Sequence, residues 1–133
     1  MEGVSMILLD TCVLIWWTTE PEKLSGKAAK ACSTIRLEGA ALSAMSIWEI
    51  GIKIKKRKLD LKLSIEDYVS RLNNIRGLEI IPVNEAIWIY NLKLGWMHED
   101  PVDRTIVATA TLMNLPIVTC DSLISAFYPQ IIW

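Results

Sequence analysis

The stretch HEDPVDR, residues 98–104, gathers three carboxylates, the chain's single histidine and an arginine around one proline. Three further acids are spaced widely: Asp10 after the apolar run MILL, Glu49 in SIWEIG, and Asp121 after LPIVTC. Each acid has a plain structural use. Asp10, Asp100 and Asp121 are acceptable N-caps, Glu49 completes a capping box opened by Ser46, and Asp103 complements a helix dipole. Brought to one edge, however, they pose a problem that capping does not explain. Two carboxylates about 4 Å apart at an effective dielectric near 20 repel by roughly 4 kcal/mol, and four converging acids would cost more than their caps return. A divalent cation relieves that repulsion, and oxygen ligands without a His/Cys set select Mg²⁺ or Mn²⁺ over zinc. One or two such ions turn water into a nucleophile, neutralise a phosphodiester and stabilise a leaving 3′-oxygen. The chemistry indicated is phosphoryl hydrolysis.

The elements that must place these acids follow from pattern and punctuation. MILL (6–9) reads as a strand stopping at Asp10, and CVLIWW as a short helix. SGKAAKACSTIRLEG reads as a helix from an N-cap at Ser25 to a stop at Gly39. AALSA (40–44) is a brief strand. A helix capped by Ser46 runs on into the basic cluster, and another follows an N-cap at Ser64. LEIIPV (78–83) is a strand, and Asn84 opens a helix. Asp100 with Pro101 at the first helical position opens the next. LPIVTC is a strand, Asp121 starts a helical turn, and QIIW is a last edge strand. Strands separated by helices imply right-handed crossovers and a mainly parallel sheet covered on both faces. The expected fold is a three-layer α/β/α sandwich with four or five strands. Ligands in such sheets bind beyond the carboxyl ends of the strands, which is where Asp10, Glu49, Asp103 and Asp121 fall.

The 133 residues fit one domain, residues 1–133, without linker, repeat or low-complexity segment. The hydrophobic fraction is 52%, yet the longest apolar run, Cys12 to Trp17, has six residues, against the ~20 that span a bilayer. MEGVS carries no basic n-region, so no signal peptide and a cytoplasmic location are expected. Cys12, Cys32 and Cys120 have no zinc-ligand spacing and read as reduced, buried thiols. The net charge of −1 hides one local excess, five cations in the six residues Lys53 to Lys58.

LLDTCVLIW, SAMSIWEIGIK, HEDPVDRTIVATA and LPIVTCD together resemble PIN-domain proteins, and closely the VapC-like toxic ribonucleases of bacterial and archaeal toxin–antitoxin pairs. The resemblance runs from Met6 to Tyr128. It implies that the family's conserved acids fall on Asp10, Glu49, Asp103 and Asp121, with Asp100 of the HxDPxDR segment as a fifth metal ligand. Val102 stands where relatives often have phenylalanine, and Met6 is the more natural start. On this reading Asp10 and Asp103 bind metal directly. Glu49 is a ligand or orients the attacking water, and Asp121 binds through water or a second ion. Thr11 and Thr119 support the carboxylates. Arg104 either pairs with Asp100 at i, i+4 or holds an acid in place or touches phosphate. His98 reads as a loop or cap residue, and without a second histidine a paired-imidazole route through a cyclic phosphate is not expected. Hydrolysis by metal-activated water leaves 5′-phosphate and 3′-hydroxyl ends.

The basic cluster then gains a use. Lys53, Lys55, Lys56, Arg57 and Lys58 extend the Glu49 helix by about 1.5 Å per residue and follow an RNA backbone, Lys53 being the nearest to the site and its best phosphate partner. The tryptophans are core residues first and stacking surfaces second; Trp16 and Trp17 cannot both face one way, so one meets a partner. The resemblance implies a homodimer and an antitoxin that covers apolar helix surface and blocks the acidic groove. Other classes fit less well. A receiver domain needs paired acids after the first strand, where Leu9 precedes Asp10, and a haloacid-dehalogenase phosphatase needs DxD, where the chain has DTC. A catalytically silent PIN-like interaction module remains the alternative, against which the full set of acids argues.

Overall fold

Short apolar runs with no polar alternation must be covered on both faces, which is what a parallel sheet between helices provides. The computed structural model describes residues 6–133, so the expectations drawn from MEGVS, the missing leader and the start at Met6, lie outside the described residues. Five strands, β1 (Ile7–Leu9), β2 (Ala40–Ser43), β3 (Leu78–Ile81), β4 (Ile117–Val118) and β5 (Ile131–Ile132), form one sheet in the order β3-β2-β1-β4-β5. Every pairing is parallel. The helices are α1 (Thr11–Thr19), α2 (Gly26–Cys32), α3 (Ile35–Glu38), α4 (Ala44–Lys55), α5 (Ile65–Asn73), α6 (Glu85–Lys93), α7 (Pro101–Met113) and α8 (Ser122–Phe127).

Alternation along the central strands divides the core. Ile7 and Leu9 of β1 and Ala40 and Leu42 of β2 face a layer built from α1, α2, α3, α4 and α5, with Val13, Leu14, Ile35, Ile50 and Leu72 buried there. Leu8 and Ala41 point the other way, against Ile106, Val107 and Ala110 of α7 and Ile124 of α8. The result is the three-layer α/β/α sandwich, with five strands.

Several element boundaries differ from the sequence reading. The helix expected over residues 25–39 is two, because the Ser33 hydroxyl bonds Lys30 O at 2.6 Å and the Thr34 hydroxyl bonds Ala31 O at 3.0 Å. Side chains that take backbone carbonyls compete with the helical ladder. Ser43, not Ser46, caps α4, its hydroxyl accepting the Met45 N–H at 3.0 Å. At its other end α4 stops at Lys55, and Arg57 adopts a left-handed φ of 57°. The turn brings Leu59 and Leu61 back onto the core, so Lys56, Arg57 and Lys58 do not continue the helix. Among the described residues no helix is long and apolar enough to cross a membrane.

The chain moves outward from β1 to β2 and β3, then returns to the opposite side of β1 with β4 and β5. The strand order therefore reverses between β1 and β4, and the carboxyl ends of these strands flank the crevice where open α/β sheets bind ligands.

Candidate metal centre

Asp10 leaves β1 at this reversal, its N–H still bonded to Val118 O of β4 at 3.1 Å, and caps α1. Its residue is only 6% exposed. Oδ1 accepts the Thr11 N–H at 2.7 Å, and Oδ2 accepts the Thr119 hydroxyl at 2.5 Å with the Cys12 thiol at 3.7 Å. Burial raises its pKa above the ordinary carboxylate range; the Thr119 and Thr11 hydrogen bonds oppose this, and the charges of Asp121 and Glu49 add to it. Among the described residues no lysine or arginine pairs with Asp10 or Asp121.

Thr119, fully buried after β4, links two acids through one oxygen. It donates to Asp10 and accepts the Asp121 N–H at 3.0 Å. Asp121 caps α8, its Oδ1 accepting from Leu123 N and Ile124 N at 2.8 and 3.0 Å. Asp100 caps α7 in the same way, Oδ1 accepting from Val102 N and Asp103 N at 2.8 and 3.2 Å. In each case one carboxylate oxygen serves the cap, and Oδ2 makes no cap bond.

Asp103 sits in the first turn of α7 with Oδ2 2.7 Å from His98 Nε2, the two side chains 16% and 21% exposed. Burial pushes its pKa up to about 6, the His98 hydrogen bond opposing and the charges of Asp100, Asp10 and Asp121 adding. Glu49 lies on α4, 26% exposed, with Lys53 Nζ at 4.0 Å. The donor atoms of His98, Asp100 and Asp103 all lie within 4.8 Å of one another. Asp10, Asp121 and Glu49 lie outside that set; the charges of Asp10 and Asp121 act on Asp103, and that of Glu49 acts on Asp10. The rim thus carries a close triad with three more acids around it, an arrangement looser than four acids around one point. Its chemistry fits a hard divalent cation: the donors are carboxylates and one imidazole, and among the described residues the most buried acid, Asp10, has no cationic partner.

Several expected roles change. The Thr11 hydroxyl does not touch a carboxylate; it bonds the Ser46 hydroxyl at 2.8 Å and so ties α1 to α4, while its backbone N–H serves Asp10. Ser46, expected as a cap, is fully buried in this tie. Arg104 does not pair with Asp100; it donates to Trp96 O at 2.7 Å, His98 O at 3.0 Å and Asn91 O at 2.5 Å. Its fork of donors matches carbonyls gathered at the end of α6 and in the loop after it, where Asn91 O also accepts the Leu94 N–H at 3.3 Å. Lys53 is engaged with Glu49, whereas Lys55, Lys56, Arg57 and Lys58 are exposed. Cys32 is buried but Cys120, beyond the end of β4, is exposed; all three thiols are free. His98 lies in the loop before α7, as expected, and from there its ring also bonds Asp103. The available signal was its place two residues before the cap, from which a side chain folds back onto the first helical turn.

The PIN domain family profile matches residues 7–128. Ribonuclease VapC22 of Mycobacterium tuberculosis (strain ATCC 25618 / H37Rv) is 28% identical over 119 residues, 89% of this chain and 88% of that protein. Among solved structures, VapBC2 from Rickettsia felis bound to a DNA fragment from its promoter superposes with a TM-score of 0.68 at 16% identity, covering 96% of each chain. A toxin–antitoxin complex from Klebsiella pneumoniae gives 0.66 at 20% identity, again with 96% of each chain covered. With nearly its whole length matched and its acids gathered at the reversal of strand order, the chain belongs to the PIN domain family.

Proposed function

We propose that the protein is a divalent-cation-dependent endoribonuclease, the toxin of a toxin–antitoxin pair, cutting RNA phosphodiesters to 5′-phosphate and 3′-hydroxyl ends. The observation that carries this reading is Asp10: a buried carboxylate with raised pKa and, among the described residues, no cationic partner, beside Asp103, Asp121 and Glu49 at the switch point of the sheet. Family membership and the similarity to Ribonuclease VapC22 support it. Asp10 and Asp103 would hold the ion directly, with Asp100 and Asp121 completing the donor set. Mg²⁺ or Mn²⁺ bound there supplies positive charge against the phosphodiester and lowers the pKa of water.

The chain's own groups do the remaining work. Thr119 and the Thr11 N–H fix both oxygens of Asp10, so little reorganisation is left when a cation arrives. Glu49, held near Lys53 and partly open to solvent, orients the attacking water. The exposed cations from Lys55 to Lys58 attract the RNA backbone, with an affinity that falls as salt rises. The structural neighbours from Klebsiella pneumoniae and Rickettsia felis are toxin–antitoxin proteins; an antitoxin that covers the acidic crevice, a homodimeric state and a cytoplasmic location complete the proposal.

The test is cleavage of end-labelled RNA by purified wild type, Asp10→Asn and Asp103→Asn, with Mg²⁺, with Mn²⁺ and with EDTA. The reading expects metal-dependent cuts whose downstream fragments carry ligatable 5′-phosphates, and their loss in both variants, which keep cap-competent side chains. Cleavage that survives EDTA, cyclic-phosphate ends, or no cleavage with either ion would contradict it, the last favouring a catalytically silent module.

A further inference from the structure

His98 is the one member of the close triad that the acids-and-cation account leaves without a task. Its ring is held from three directions. Nε2 lies 2.7 Å from Asp103 Oδ2. The Trp96 ring sits with its centroid 4.9 Å away and is itself stacked on Phe127 of α8 at 4.6 Å and 8°. The backbone on either side is pinned by Arg104, which takes the carbonyls of Trp96 and His98. Arg104 is in turn bonded to Asn91 Oδ1 at 3.3 Å, and the Asn91 amide to Thr105 at 3.0 Å. A flexible loop residue does not need such support.

An ionised carboxylate only accepts hydrogen bonds, so Nε2 is the donor to Asp103. Without that bond the terminal torsion of Asp103 lies in a broad, roughly two-fold well and either oxygen can face the crevice. We propose that His98 is a positioning residue: its Nε2–H holds Oδ2 of Asp103, leaving Oδ1 as the oxygen presented to the cation. This rests on the metal-binding reading above. It assigns His98 no coordination of its own. A coordinating Nε2 would have to surrender its hydrogen and the bond to Asp103, while hard cations prefer the carboxylates nearby. Partners that orient a ligand typically contribute 10- to 100-fold in metal affinity.

Two measurements test this, neither reading nuclease activity. Because the chain has one histidine, long-range ¹H–¹⁵N spectra report a single imidazole; Nε2 is expected to carry hydrogen before and after saturation with Mg²⁺. Mn²⁺ binding followed by electron paramagnetic resonance is then compared in wild type, His98→Phe, which keeps a ring against Trp96, and His98→Gln, which restores a donor near the Nε2 position. Affinity is expected to fall about 10- to 100-fold in the Phe variant and to recover for the most part in the Gln variant. Loss of the Nε2 hydrogen on Mg²⁺ addition would make His98 a ligand and overturn the proposal. Equal Mn²⁺ affinity in wild type and His98→Phe, or a Gln variant as weak as Phe, would also overturn it. Wild type that binds no Mn²⁺ would instead sink the metal-binding reading, and this inference with it.

Discussion

Replacing Asp103 by asparagine makes the electrostatic strain of the site measurable without any ligand. Asp103 has its pKa raised from 3.8 to about 6, chiefly by burial. Between about pH 4 and pH 6 the folded protein holds a proton on this group that the unfolded chain has released, so stability falls as pH rises through that window. Below the unfolded value the penalty is absent, and above pH 6 it is constant. A shift of roughly two units at about 1.4 kcal/mol each gives a penalty on the order of 2–3 kcal/mol at neutral pH; the side chain is only 16% exposed, so solvent screening removes little of it. Asparagine is uncharged and keeps an oxygen that accepts from His98. Urea denaturation of wild type and Asp103→Asn in EDTA, at steps from pH 4 to pH 8, reads the difference. The variant should gain about 2–3 kcal/mol on wild type across the window, nearly all of it between pH 4 and 6. Parallel curves for the two proteins would refute the reasoning, since they would mean that Asp103 titrates alike folded and unfolded.

Other perturbations test the scaffold and the approach of RNA. Leu8→Ala, at a fully buried position of the central strand β1, should cost about 2–5 kcal/mol in urea unfolding. Arg104→Ala strips donors from the carbonyls of Asn91, Trp96 and His98; it should cost about 1–3 kcal/mol and speed amide exchange in residues 94–98 before the rest of the chain. Alanine at Lys55, Lys56, Arg57 and Lys58 together should weaken RNA binding and make its log–log salt dependence shallower by about 0.7 for each phosphate no longer neutralised, with unchanged Mn²⁺ affinity.

How far the sequence reveals this arrangement depends on whether each residue answers to its neighbours or to distant groups. Strand runs such as MILL and the caps at Ser25, Ser64, Asn84, Asp100 and Asp121 are local, and the structure keeps them. Placement of acids at the carboxyl ends of strands follows from the βα alternation, so the address of the site is legible too. Ser43 and Ser46 are equally competent caps; only the end of β2 at Ser43 and the hydroxyl of Thr11 decide between them. Arg104 has Asp100 four residues before it, yet carbonyls 6 to 13 residues upstream claim its donors. The end of α4 is set by Leu59 and Leu61 returning to the core, which no count of lysines reveals. The role of His98 escapes a reading by pattern because its partner lies across a helix start, outside both helical and strand periodicity.

If these acids are held together for a cation, calorimetric titration of Mg²⁺ into metal-free protein will show it. Wild type should bind with a saturable isotherm that Asp10→Asn abolishes or weakens severely while remaining folded and at least as stable. Featureless titration of wild type, or an isotherm that Asp10→Asn leaves unchanged, would contradict it.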